Sequence, residues 1–540
     1  MFLRTIITFL LSYIPLLVFS QTLINPVIWQ DHPDLDVFRV GHTFYYSSST
    51  FAYSPGAPIL RSFDLANWEA VTHSVPYLNF SPANAYNLTS NSRAYVKGIW
   101  ASTLRYRPSS DTFYWLGCVD GGKTYIWSSP GGNARSNGGE VPPESWNWTP
   151  RPVIDKCYYD AGLFFDDDDS QVYVVYGNTQ IRIAQLSVAA NGDLREVRNQ
   201  LVYASSDMTV EGARLYKRNG EYWIWVTRPA DAQYVLRGNN PWGPYTRRVL
   251  VDRIQGPLVS AGYAHQGGVV DTEDGRWFYV GFLDAYPGGR IPVVAPMTWG
   301  SDGWPTVVRD GANGWGMLYF LPVNTTRKVG VLGPRVDEFK GMKLGPEWEW
   351  NHNPDNGKWA LSTGLVLKTA TVAGDLFAAR NTLTHRIHGP KSRGTFRIDV
   401  GAMKDGDRTG AVLFRDKAAY IGIHKTGKTA SIVMVDNLNL VEGSWTTSST
   451  GRVAVTGPSV TGEIWLRIQA DITPAFGTNT GRQAIFAYST DGKTFTILGS
   501  AFAMSNSWRY FSGYRYGVFN FATKALGGEI KVKSFVMDIV

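Results

Sequence analysis

Cysteine is scarce in this chain: two residues, Cys118 and Cys157, in 540. A disulfide framework is therefore excluded, and stability must rest on large apolar cores. The two sulfurs admit one disulfide in an oxidising compartment or two buried thiols, and the thiols are expected. Helical periodicity is nearly absent, which leaves an all-β chain. No run of lysine or arginine stands out, and the net charge of +7 is small for the length. A nucleic-acid partner is not expected on that basis. Past Ser20 no apolar stretch approaches a membrane span, so no membrane partner is expected either. Low-complexity sequence is missing throughout.

Residues 1–20 carry an early Arg4, an apolar run and a small-residue end at Ser20. This reads as a secretory signal cleaved after Ser20, since Pro15 interrupts a run barely long enough to anchor in a membrane. The mature protein is expected to be secreted and extracellular. Three acceptor sequons, at Asn87, Asn147 and Asn324, agree with that route and mark candidate glycosylation sites.

What is abundant is aromatic side chains, with 20 Trp and 28 Tyr, and they recur in a pattern. Glu211-Gly-Ala-Arg-Leu-Tyr-Lys runs through an Asn-Gly turn into Glu221-Tyr-Trp-Ile-Trp, the signature of a β-hairpin. His265-Gln-Gly-Gly-Val-Val leads likewise into Arg276-Trp-Phe-Tyr-Val, and Asp160-Ala-Gly-Leu-Phe-Phe into Gln171-Val-Tyr-Val-Val-Tyr. Trp100-Ala-Ser-Thr-Leu-Arg-Tyr leads into Thr112-Phe-Tyr-Trp-Leu, and Asp34-Leu-Asp-Val-Phe-Arg-Val into Thr43-Phe-Tyr-Tyr-Ser. A third apolar stretch follows each pair, as at Pro58-Ile-Leu-Arg-Ser and Ile291-Pro-Val-Val-Ala. Five imperfect copies over residues 21–330 predict a five-bladed β-propeller, in which radial repetition protects sheet edges.

After a connector near 324–334 the pattern changes. Residues 331–540 hold short alternating strands such as Thr395-Phe-Arg-Ile-Asp-Val and Ile464-Trp-Leu-Arg-Ile, with no fivefold repeat. They predict a β-sandwich of jelly-roll, concanavalin-like type that binds carbohydrate or buttresses its neighbour.

The repeat aligns chemistry as well as strands. Asp34, the Trp100 region, Asp160, Glu211 and His265 head the first strand of each copy, and a propeller gathers such ends on one face of its channel. Glycoside hydrolysis needs two carboxyl groups flanking the bond, one to protonate the leaving oxygen and one to activate water or attack the sugar. A third carboxylate raises its neighbour's pKa and keeps an acid protonated near neutral pH. Surplus aromatics near the channel mouth suit stacking on sugar rings; Trp100 and, from the second domain, Trp508 are the candidates. The alternative from another class is a carbohydrate-binding propeller without catalysis, which would not require acids at equivalent blade positions.

At these residues the chain resembles glycoside hydrolase family 43, in particular its fungal two-domain members. Asn25-Pro-Val-Ile-Trp-Gln-Asp-His-Pro-Asp is similar to the family's opening motif, and the resemblance makes Asp34 the general base. Asp36 stands where the family usually has Ser. Glu211-Gly-Ala-Arg-Leu-Tyr-Lys is similar to the strand that carries the general acid, Glu211, and Asp160 matches the third, pKa-tuning carboxylate. His265-Gln-Gly resembles a central histidine facing a calcium ion held mainly through water, although a hydrogen-bonded core histidine is the plain alternative. Arg290, after Gly289, matches the arginine that hydrogen-bonds the sugar. No cofactor is required, and a structural calcium in the channel is the one ion implied. The resemblance implies a monomeric, inverting exo-glycosidase that removes α-L-arabinofuranosyl groups from arabinoxylan or arabinan of plant cell walls. A β-1,4-xylosidase is the alternative on the same scaffold.

Overall fold

The computed structural model describes residues 22–166, 170–311 and 314–540. The expected export signal lies outside them, as does most of the Asp166–Ser170 run.

Each repeat folds into an antiparallel four-stranded sheet. Blade one pairs Asp36–Val40, Thr43–Ser47, Gly56–Ser62 and Glu69–Val75 in that order. The first strands of the next four blades are Thr103–Arg107, Gly162–Phe165, Glu211–Arg218 and His265–Asp271. β-Branched and aromatic residues fill these strands because both faces of an inner strand are covered, as in the fully buried Thr43–Ser47. The three strands expected per repeat are joined by a fourth, outer one: Glu69–Val75, Thr149–Ile154, Leu194–Ala204, Thr246–Asp252 and Pro305–Val307. Most outer strands are half-exposed, as charged Leu194–Ala204 shows, and so lack the apolar signature that marks the other three. Thr22–Ile24 pairs with Leu318–Phe320 across the two ends of the propeller.

The middle of the channel is sealed by a buried arginine. Arg214 is 1% exposed, and its guanidinium donates to the carbonyls of Leu35, Ser102, Ala161 and Ala213 at 2.8–3.0 Å. These carbonyls come from four blades, so one side chain ties four inner strands together. Asp36, fully buried, offsets the charge: Arg105 lies 2.5 Å from it, Arg214 3.5 Å, and Thr103 Oγ1 donates at 2.7 Å.

The expectation of free thiols is corrected, since Cys118 and Cys157 are bonded, with Cα atoms 5.0 Å apart. Cys118 stands opposite Thr124 in blade two. Thr124 Oγ1 donates to the Lys156 carbonyl and accepts from the Tyr158 N–H, folding the segment that carries Cys157 back against it.

The second domain is a sandwich of a nine-stranded and an eight-stranded sheet around a core that includes Trp348, Phe396, Tyr516 and Phe535. Its eight-stranded sheet continues into the propeller, where Trp350 and Asn351 pair with Ser54 and Tyr53 of blade one. Beside this seam Glu349 is fully buried and accepts from Arg386 at 2.8 Å and Arg515 at 2.5 Å, with His73 at 3.1 Å. Burial alone would push its carboxyl up, but the two guanidinium groups hold it well below the usual carboxylate range. Among the described residues no helix is long and apolar enough to cross a membrane.

Candidate active site

A left-handed backbone residue recurs just ahead of, or at the start of, four of the five inner strands. Asp34 (φ 53°) and Asp160 (φ 51°) each precede their strand by two residues, while Gly212 (φ 66°) and Gln266 (φ 45°) follow Glu211 and His265. In blades four and five the register then shifts, between Glu211 and Arg214 and between His265 and Gly268, as a bulge does when it re-aims a side chain. A non-glycine residue in this region costs about 1–3 kcal/mol and persists where the surroundings over-determine it. Here the turns aim the blade heads into one pocket instead of along the strands.

That pocket has a volume of about 470 Å³ and brings together Asp34, Trp100, Asp160, Glu211, His265, Arg290 and Trp508. Three donors converge on Asp34, which is 6% exposed. Ser49 Oγ donates to Oδ2 at 2.5 Å; Arg290 Nη1 and Gln266 Nε2 donate to Oδ1 at 2.5 and 3.1 Å. Asp36, two residues on, points into the sealed middle and takes no part in the pocket.

Glu211 accepts from Asn178 Nδ2 at 2.8 Å and Tyr159 Oη at 3.2 Å, both on Oε2. Burial pushes its carboxyl up; the Tyr159 and Asn178 hydrogen bonds pull the other way, and the charge of Asp34 pushes up again. Asp160 is pushed well above the usual carboxylate range by burial, then by the charges of Glu211 and Asp34, against a 3.0 Å hydrogen bond from the Gly212 N–H. Two buried carboxyls with such coupling keep a proton to higher pH than an exposed one would.

Arg290 lies between the domains. Besides Asp34 it reaches the Phe511 carbonyl of the sandwich, from Nε at 3.2 Å and Nη2 at 3.0 Å. Trp508, 47% exposed, joins Phe476 and Phe511 as the sandwich's contribution to the pocket wall. Trp100 sits edge-on to Tyr159, with ring centroids 6.3 Å apart.

His265 hydrogen-bonds the Tyr263 carbonyl through Nδ1 at 2.9 Å and lies edge-on to Phe282 at 4.5 Å. Calcium takes six to eight oxygen ligands, and among the described residues no group of three or more His, Cys, Asp or Glu side chains converges to hold a metal. The side chains here do not build a calcium cage. Of the sequons, Asn147 and Asn324 are exposed; Asn87 is half-buried and its Oδ1 accepts from Tyr77 and Asn353.

The sequence reading missed several pocket residues. Tyr159 and Gln266 are chain neighbours of Asp160 and His265 and could have been found by extending the blade heads one residue either way. Asp284, 7% exposed and pushed up by burial, ends the second strand of blade five. Phe51, Phe476 and Phe511 carry no local signal, because loops far apart in sequence deliver them.

Comparison with known proteins agrees with this architecture. The family model described as Glycosyl hydrolases family 43 matches residues 23–305, and that of the Beta xylosidase C-terminal Concanavalin A-like domain matches 336–538. A Beta-xylosidase of Formosa agariphila is 29% identical over 96% of this chain and 90% of that protein. A Non-reducing end alpha-L-arabinofuranosidase of Bacteroides ovatus is 28% identical over 64% of each chain. Among solved structures, a GH43 glycoside hydrolase engineered at its active site to display both endo-xylanase and exo-arabinofuranosidase activity is 61% identical. It superposes with a TM-score of 0.93 over 96% of this chain and 100% of that one.

Proposed function

The chain belongs to glycosyl hydrolase family 43 and is a glycoside hydrolase; from that premise we propose that it removes α-L-arabinofuranosyl side groups from arabinoxylan or arabinan, as an exo-acting, inverting enzyme. Asp34 takes a proton from water as the water oxygen attacks the anomeric carbon. Glu211 gives its proton to the glycosidic oxygen as the carbon–oxygen bond breaks. Asp160 shares the buried charge with Glu211 and so keeps the acid protonated between turnovers. An inverting reaction needs room for a water between the carboxyls, about 6.5–9.5 Å. Asp34 and Glu211 are each held in place by separate partners.

Arg290, His265, Trp100 and Trp508 would hold the sugar, the rings by stacking and Arg290 by hydrogen bonds. The observation that carries the arabinofuranosidase reading is the 61% identity to an enzyme with exo-arabinofuranosidase activity. The likeness to the Beta-xylosidase of Formosa agariphila supports a β-1,4-xylosidase equally well, since both sugars present similar hydroxyls. We further read the protein as secreted and monomeric, acting on plant cell-wall polysaccharide, with glycans at Asn87, Asn147 and Asn324.

Chromatography of the sugar released from wheat arabinoxylan and from xylo-oligosaccharides tests the proposal. Arabinose from the former supports it. Xylose from chain ends of either transfers the activity to a xylosidase, and no release from any such polymer would return the protein to a carbohydrate binder.

A further inference from the structure

The seam between the domains runs directly behind Arg290. While the guanidinium binds Asp34 and the Phe511 carbonyl, the main-chain N–H of Arg290 donates to Asp31 Oδ1 at 2.7 Å. The other oxygen of Asp31 accepts from the Gly513 N–H of the sandwich at 2.9 Å. The Asp31 carbonyl accepts from Arg386 Nε at 2.8 Å, and the Tyr514 N–H donates to the Pro287 carbonyl at 3.1 Å. One stretch of the sandwich, residues 511–514, thus grips Arg290 at both ends, directly at the guanidinium and through Asp31 at the backbone. Asp31 is 5% exposed, and its two carboxylate oxygens and its carbonyl are all engaged by protein, so it has nothing to offer a substrate.

Two glycines allow this approach. Gly289 has φ +97°, and a Cβ there would lie 2.3 Å from Asp31 Oδ1 and 2.7 Å from the Gly513 nitrogen. A Cβ on Gly513 would lie 2.2 Å from the Gly288 oxygen. Any side chain at either position would wedge the domains apart at the point where Arg290 is held.

We propose that Asp31 and the Phe511–Gly513 turn are positioning residues that fix Arg290 and, through it, the carboxylate of Asp34, so that the sandwich completes the catalytic geometry of the propeller. This rests on the reading of Asp34 as the general base. A long arginine side chain gives up much rotamer freedom when it is held in one place, and an error of about 1 Å in a reacting group costs on the order of 100-fold in rate. The clamp supplies the order that the pocket alone does not.

The test is a double-mutant cycle of Asp31→Asn and Arg290→Lys, with kcat and KM measured on 4-nitrophenyl α-L-arabinofuranoside and β-D-xylopyranoside. Asparagine keeps the size of Asp31 but sets an amide NH₂ against one of the two N–H donors. Asp31→Asn is expected to lower kcat about 10- to 100-fold and to change KM less than about threefold. The double variant should be no slower than Arg290→Lys alone, because Asp31 acts through Arg290. Losses that multiply, or an unchanged kcat in folded Asp31→Asn, overturn the proposal. Arg93→Ala weakens the same seam where Arg93 meets Thr447 and Asp375, with no bond to Asp31 or Arg290; it should lower Tm and spare kcat, and an equal loss of kcat there would also overturn it. Should Asp31→Asn fail to fold, Asp31→Ser replaces it in the cycle. A crystal structure of the Asp31 variant separates the two kinds of failure. The Arg290–Asp34 contact must open whether or not these glycosides are substrates, and its retention refutes the clamp. A wild type inactive on both glycosides refutes the functional reading alone.

Discussion

Asp34 and Asp36 are two residues apart in one blade and belong to different chemistries. Asp34 sits on a left-handed turn at the open end of the channel, held by Ser49, Gln266 and Arg290 with its face to the pocket. Asp36 begins the strand, is fully buried, and meets two arginines in the sealed middle. The open end spends backbone strain and buried charge on keeping carboxyls reachable; the middle uses the same residue type to neutralise the arginine that ties four blades together. Position relative to the strand start, rather than residue type, decides which aspartate can do chemistry.

Breaking the open end should abolish turnover without unfolding. Asp34→Asn and Glu211→Gln, which keep the size of each side chain and an oxygen to accept the hydrogen bonds made to it, are each expected to lower kcat by about 10²–10⁴-fold, with thermal melting close to wild type. A similar loss with a collapsed melting temperature would assign these residues to the fold instead. Breaking the middle should do the reverse. Asp36→Ala leaves Arg105 and Arg214 buried without their partner, and removing one member of such a network costs about 3–5 kcal/mol, read from urea denaturation. Turnover by whatever fraction remains folded should be near normal.

A finer probe stays within the open end. The Tyr159 hydroxyl draws the Glu211 carboxyl down against burial. Tyr159→Phe should therefore shift the alkaline limb of the kcat/KM profile, where the acid loses its proton, to higher pH. A shift to lower pH would show that Tyr159 acts in another way.

The smallest expected effect is on stability. Burial, followed by the charges of Glu211 and Asp34, raises Asp160 in the folded state. As pH climbs past the ordinary aspartate value of about 3.9, the unfolded chain gives up this proton first, so folding loses stability until the folded-state value is passed. Asp160→Asn removes that loss. The variant should match wild type in acid and exceed it at neutral pH, and a gain over wild type that is no larger at neutral than at acid pH would contradict the cause assigned to the shift.

Much of this division was legible in the chain. The strand–turn–aromatic strand unit repeats strongly enough to count blades, and the repeat aligns Asp34, Asp160, Glu211 and His265 without any knowledge of contacts. What could not be read depends on docking. The pairing of Ser54 with Trp350 joins segments almost 300 residues apart, and Phe511 reaches the pocket only because the sandwich seats on blade one. Outer strands such as Leu194–Ala204 were hidden by their half-exposed, charged faces. The sulfur pairing was missed because nothing local announces the fold-back at Thr124 that brings Cys157 to Cys118.

Inversion requires Asp34 and Glu211 to flank the bond with water on one side. Proton NMR of the sugar released from wheat arabinoxylan in the first minutes, before mutarotation, addresses that directly. The expected signal is β-L-arabinofuranose appearing as the α-linked side-chain signals decline. Early α-L-arabinofuranose would mean retention through a covalent intermediate and would contradict the role of general base given to Asp34, since a carboxyl acid protonates the leaving oxygen in both mechanisms.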